Sequence, residues 1–164
     1  MNSKKGLLIS AMACSAAIWL AGCASSKPDT ASASTDSAAK PGWSVSLPQA
    51  QAQAKAENKF VVMDFTGSDW CPWCIKLDKE IFSTPEFADF ASKNLVLVEV
   101  DFPRRKPQST KLKRANRSLE EKFKVEGYPT VVVLNSEGKK VGELGYQEGG
   151  PGPFIKKLEE LKKG

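Results

Sequence analysis

Apolar residues recur along this chain in two rhythms, one suited to strands and one to helices. Residues 59–65, Lys-Phe-Val-Val-Met-Asp-Phe, form a strand-like run that stops at Thr66-Gly67. Residues 95–101, Leu-Val-Leu-Val-Glu-Val-Asp, read as a second strand, and residues 130–135, Thr-Val-Val-Val-Leu-Asn, as a third. Turn chemistry at 135–138 leads into a fourth strand at 139–145, antiparallel to the third and at a sheet edge. The helical rhythm fills the gaps. Cys74, Leu77 and Ile81 predict a helix opening at a pair of cysteines, and Phe87, Phe90 and Ala91 predict a helix opening at Ser83-Thr84-Pro85. Leu112, Ala115, Leu119 and Phe123 predict another, and Phe154, Ile155, Leu158 and Leu161 a last one. Residues 43–58 predict one more helix ahead of the first strand, with Ser46 as cap, Pro48 in the first turn, and Leu47, Ala50 and Ala54 on one face.

The order is β-α-β-α-β-β-α behind an extra N-terminal helix. Alternating strands and helices imply parallel pairing, and the closing hairpin makes the sheet mixed. The expectation is an α/β fold: a central mixed sheet flanked by helices.

The start of the chain lies outside this pattern. Lys4 and Lys5 precede an apolar run, and polar Ser-Ser-Lys-Pro-Asp-Thr follows it, which is the layout of an export leader. The run closes on Leu20-Ala21-Gly22-Cys23, which resembles the lipobox of bacterial lipoproteins. That resemblance implies a signal peptide over 1–22, removed together with Cys14, and a lipidated Cys23 as the new N-terminus. Ala24 is not Asp, which by analogy with enterobacterial sorting favours the outer membrane. Residues 23–42 carry too few apolar side chains to offset their ordering entropy and read as a tether, leaving 43–164 as the domain. Loss of Lys4 and Lys5 takes the net charge from +5 to +3, which says little about partners.

Candidate chemistry concentrates in Gly-Ser-Asp-Trp-Cys-Pro-Trp-Cys-Ile-Lys, residues 67–76. Cys71 and Cys74 are a redox pair, two metal ligands or a structural staple. Structural zinc needs four Cys or His ligands, and the chain has no histidine. A disulfide across two residues closes a tiny loop and removes little unfolded-state entropy, so it staples poorly. A redox pair fits best. The helix N-terminus favours a thiolate at Cys71, the exposed attacking group, while Cys74 one turn in resolves the mixed disulfide. Pro72 suits a first helical turn, and Trp70 and Trp73 add bulk for docking.

With strand, cysteine pair and helix in this order, residues 60–161 resemble the thioredoxin superfamily, nearest to exported thioredoxin-like proteins with Phe-Thr-Gly-Ser-Asp-Trp-Cys-x-Trp-Cys. The resemblance implies the thioredoxin fold and protein thiol–disulfide exchange with no bound cofactor or metal. It also implies a recycling redox partner, membrane-bound for a tethered domain. Asp64 matches the family's buried acid, whose raised pKa lets it take the proton of Cys74. Gly127-Tyr128-Pro129-Thr130 matches the cis-proline loop, which brings the Tyr128 backbone beside Cys71 to pair with substrate. Trp70, Pro72, Trp73, Tyr128 and Pro129 are then the substrate-contacting residues. Two departures bear on redox potential: one extra residue between Asp64 and Cys71, and Pro-Trp in place of Gly-Pro. Asp69 beside the site opposes a depressed pKa at Cys71. The rival readings are a binding module with an inert disulfide and an electron carrier serving one partner.

One run remains. Arg104, Arg105, Lys106, Lys111, Lys113, Arg114 and Arg117 meet no acid before Glu120. This is a solvated face, or a surface for an acidic partner or anionic lipid; export argues against nucleic acid.

Overall fold

A computed structural model describes residues 39–163. The leader expected over 1–22, Cys23, Ala24 and the expected tether up to residue 38 lie outside the described residues. The tether's last residues do not behave as a linker: Lys40 and Pro41 are seated on the domain, and Trp43 donates its amide to the Lys40 carbonyl at 2.9 Å.

Five strands form one sheet in the order β1-β3-β2-β4-β5. They are β1 (Trp43–Ser44), β2 (Phe60–Thr66), β3 (Leu95–Asp101), β4 (Thr130–Leu134) and β5 (Lys140–Leu144). The helices are α1 (Leu47–Glu57), α2 (Pro72–Leu77), α3 (Pro85–Asn94), α4 (Thr110–Phe123) and α5 (Pro151–Lys163). Two residues of β1, too few to show an alternating pattern, pair parallel with β3. They turn α1 from an appendage into the crossover between β1 and β2.

The parallel pairing expected of the strands holds for β2 with β3 and fails for β4, which runs antiparallel to β2. Helix α4 explains the reversal. At its middle, Asn116 Nδ2 donates to the Asp101 carbonyl at 2.8 Å, and at its end Phe123 packs on Phe65, the residue that pairs with Thr130. The helix thus returns the chain to the sheet end it left, and β4 has to run back.

Strand β2 has neighbours on both sides and is buried almost throughout, so its side-chain alternation decides which chemistry lies on which face. Val61, Met63 and Phe65 join Leu47, Ala50, Ala54 and the inner residues of β3 in one core. Val62 joins Leu77, Ile81, Phe87, Phe154 and Leu158 in the other. Asp64 shares the parity of Val62 and therefore lies on the face covered by α2.

Local signals end most elements where the sequence places them. Thr84 caps α3 by accepting from the Phe87 amide at 3.3 Å, a contribution of about 1 kcal/mol. Ser46 sits at the N-cap of α1 but its hydroxyl accepts no helix amide; instead the Ser44 hydroxyl accepts from the Ser46 amide at 3.0 Å. After α2 the chain makes a wider turn over Asp78–Phe82, which buries the adjacent Ile81 and Phe82 together. In α4 the inward place expected for Ala115 goes to Asn116, which follows Leu112 by four residues; Ala115 is exposed.

Candidate active site

The loop after β2 is built around Gly67, whose carbonyl accepts from the amides of Trp70 at 3.1 Å and Cys71 at 2.9 Å. A Cβ on Gly67 would collide with the Trp70 indole, so this tight turn needs glycine. The turn delivers Cys71 to the N-cap of α2, with Pro72 in the first turn, where no amide hydrogen is missed. Cys71 and Cys74 are joined as a disulfide. Cys71 Sγ accepts from the Cys74 amide at 3.3 Å, and Cys74 Sγ accepts from the Gly67 amide at 3.5 Å.

Cys71 is not the exposed group that the sequence suggests: it shows 5% of its surface, and Cys74 2%. The reason lies across the sheet. The Tyr128–Pro129 peptide is cis, and the Tyr128 carbonyl oxygen lies 3.7 Å from Cys71 Sγ. What solvent meets instead is the flank of the pair, Trp73 at 55% and Ile75 at 47% exposure.

Two aromatic groups border the disulfide. Trp70 donates Nε1–H to the Phe102 carbonyl at 2.8 Å and meets the Tyr128 ring edge-on at 6.0 Å, while Phe102 stacks on Tyr128 at 5.1 Å. The Tyr128 hydroxyl donates to Glu120, and burial together with that bond raises its pKa. On the other side Trp73 leans on Tyr146 at 5.5 Å, and the Lys76 ammonium lies near both rings.

Asp69 has a structural role besides its charge beside Cys71. Its carboxylate accepts the backbone amides of Arg104 at 2.9 Å, Arg105 at 2.7 Å and Lys106 at 2.9 Å. Those bonds lower its pKa to about 2, so it stays ionised and is used as a clamp on the loop after β3. Asp101 braces the site from the same strand end, accepting Ser68 N–H at 2.9 Å and Ser68 O–H at 2.6 Å.

Beneath α2 lies Asp64, 2% exposed, with one carboxylate oxygen lacking any hydrogen bond. Burial pushes its pKa up to about 7, against the pull of Lys40 and with help from Glu99, Asp78 and Asp101. Glu99 is its direct partner on β3, so two acids face each other on one side of the sheet. Lys40 answers both. Its ammonium is 2.7 Å from Asp78, 3.5 Å from Glu99 and 3.8 Å from Asp64, and lies over the Trp43 ring at 4.8 Å. Burial alone would lower the Lys40 pKa, yet the three acids leave it raised. Lys40, Glu99, Asp78, Thr66 and Cys74 line a common cavity of about 360 Å³. Sequence reading missed this cation, because a lysine in a polar stretch, far along the chain from Asp64, Asp78 and Glu99, carries no local signal.

The fold has counterparts. A family model described as a thioredoxin-like domain matches residues 47–162. The chain is 36% identical over 118 residues to the disulfide bond reductase DsbH of Chlamydia pneumoniae, covering 72% of this chain and 71% of that one. It is 35% identical over 97 residues to the thiol:disulfide interchange protein DsbD of Klebsiella pneumoniae, covering 59% of this chain but only 14% of that longer protein. A solved structure of a DsbH oxidoreductase superposes with a TM-score of 0.69 at 32% identity, covering 79% of this chain and 92% of that one. The family match takes in all five helices and every strand but β1, and this protein belongs to the thioredoxin-like domain family.

Proposed function

We propose that this thiol–disulfide oxidoreductase reduces disulfides in exported proteins, working on the periplasmic side of a bacterial membrane. The observation that carries the reading is the seat of Cys71 Sγ, between the Cys74 amide and the Tyr128 carbonyl. An amide at a helix N-cap stabilises a thiolate, and a free carbonyl beside it offers an extended substrate a backbone partner. In the reducing direction the Cys71 thiolate attacks one sulfur of a substrate disulfide, giving a mixed disulfide and releasing the other sulfur as a thiolate. Cys74 then loses its proton to Asp64 and attacks Cys71. The second substrate sulfur leaves, two electrons have passed to the substrate, and the Cys71–Cys74 disulfide awaits a dithiol donor. Trp70, Pro72, Trp73, Tyr128 and Pro129 form the rim that a partner crosses. Similarity to a relative named a disulfide bond reductase supports the reducing direction.

The test is insulin reduction with dithiothreitol as electron source. The protein should speed precipitation of the insulin B chain well beyond dithiothreitol alone. A rate no higher than that of the reductant would leave a binding module with an inert disulfide. A measurable potential without insulin activity would mark a carrier for one partner.

The leader and the Leu20-Ala21-Gly22-Cys23 run support a lipid anchor, with Ala24 favouring the outer membrane. Growth with labelled palmitate should tag the protein, and Cys23→Ala should remove the tag. Label that survives the substitution would refute the anchor.

A further inference from the structure

The basic segment after β3 is not a free-standing solvated loop: the active-site loop holds it. Three consecutive backbone amides, those of Arg104, Arg105 and Lys106, are gripped by Asp69, two residues before Cys71. The Arg104 guanidinium stacks on the Trp70 ring at 3.8 Å, and Lys106 Nζ donates to Ser68 at 3.0 Å. Trp70 in turn contacts Tyr128, whose carbonyl faces Cys71. Three exposed cations are therefore presented along one border of the disulfide. Among the described residues, none of the three forms a side-chain ion pair. The acids beside them are engaged by other donors, Asp69 by the backbone amides and Asp101 by the Ser68 amide and hydroxyl.

We propose that this border is a docking rim for acidic polypeptide, so that the preferred substrates carry Asp or Glu beside the disulfide on the side that passes over Trp70. The inference rests on the disulfide-exchange reading and names the substrate class for it. A cation held at a fixed position beside the reacting sulfur steers an approaching carboxylate and favours one orientation of the disulfide. Arg104 suits the task, because its flat guanidinium stacks on an aromatic ring while its edge still offers N–H donors to a carboxylate. An anionic membrane suits the rim less well. The only large apolar side chains that are exposed among the described residues are Trp73 and Ile75, on the other flank of the pair. A bilayer seated on Arg104 to Lys106 would also crowd the disulfide it should leave open.

The experiment uses the full chain, reduced, and two cyclic peptides closed by the same disulfide, one flanked by aspartates and one by serines. The rate constant for reduction of each is read at low and at high salt. The acidic peptide should be reduced about tenfold faster at low salt, and the ratio should fall towards one at high salt. In Arg104→Glu/Arg105→Glu/Lys106→Glu the ratio should fall to one or below at low salt. Equal rates for the two peptides in the unsubstituted protein would overturn the rim while leaving disulfide exchange standing. Failure to reduce either peptide would instead sink the exchange reading. A salt-sensitive preference that survives the triple substitution also overturns the proposal, because the charge would then act from elsewhere. So would equal peptide rates together with charge-dependent binding to vesicles containing phosphatidylglycerol over phosphatidylcholine alone, which would assign the cations to lipid.

Discussion

Cys71→Ser should lower insulin reduction by about a thousandfold or more, to the background of dithiothreitol, because on the proposed mechanism it removes the sulfur that opens a substrate disulfide. Cys74→Ser should look different, although its turnover is lost as well. Cys71 keeps its place at the N-cap of α2, attacks once, and the mixed disulfide persists because nothing resolves it from behind. Non-reducing electrophoresis after mixing with oxidised substrate should therefore show abundant covalent complex with Cys74→Ser and little with Cys71→Ser. The burial pattern gives the direction: Cys74 is the more enclosed of the two, lining the inner cavity with Lys40 and Glu99, while Cys71 faces the Tyr128 carbonyl. The 5% exposure of Cys71 adds a further expectation. Small alkylating reagents should modify the reduced protein at Cys71 before Cys74, and more slowly than their thiolate chemistry alone would allow. Equal trapping by the two serine variants would show that either sulfur attacks, and the assignment of roles would fall.

What the sequence revealed divides along a physical line. Strands β2, β3 and β4 announce themselves as apolar runs, and the helices as periodic ones, because each is settled by neighbours a few positions away. Cys71, Cys74 and Pro72 are legible for the same reason: a helix start and a two-residue gap are local facts. The missed features are long-range. Strand β1 exists because Trp43 and Ser44 find an edge of β3, more than fifty positions on. The reversed direction of β4 follows from where α4 brings the chain, which no window of residues contains. Asp69 reads as a charge near the thiolate until the loop after β3 folds over it and takes up both oxygens. Lys40, in a stretch of small and polar residues, looks like part of a tether and proves to be the cation that balances Asp64, Asp78 and Glu99. Folding brings these groups together, and their chemistry becomes legible only then.

Asp64→Asn should stabilise the protein against urea, and the gain should grow with pH. The carboxyl has an ordinary value of 3.8 when the chain is unfolded and about 7 when folded, so the native state binds its proton more tightly. Between those values the folded protein holds a proton that the unfolded chain has released. Stability from this group is therefore full below the unfolded pKa, drains as pH climbs towards 7, and is gone above it. At about 1.4 kcal/mol per pKa unit, the drain amounts to about 4 kcal/mol, and asparagine, which does not titrate, is free of it. The advantage of Asp64→Asn over the natural chain should thus widen between pH 4 and pH 7, then level off. Lys40→Met should act the other way, pushing the Asp64 pKa further up by removing the cation that restrains it. Catalysis should move in the opposite sense to stability. Without the carboxylate to take the Cys74 proton, resolution of the mixed disulfide should slow by about a hundredfold, and its rise with pH through about 7 should disappear. A stability gain that is flat with pH would mean that Asp64 is ionised in the folded protein throughout, held so by Lys40, and the proton would have to leave Cys74 for another base.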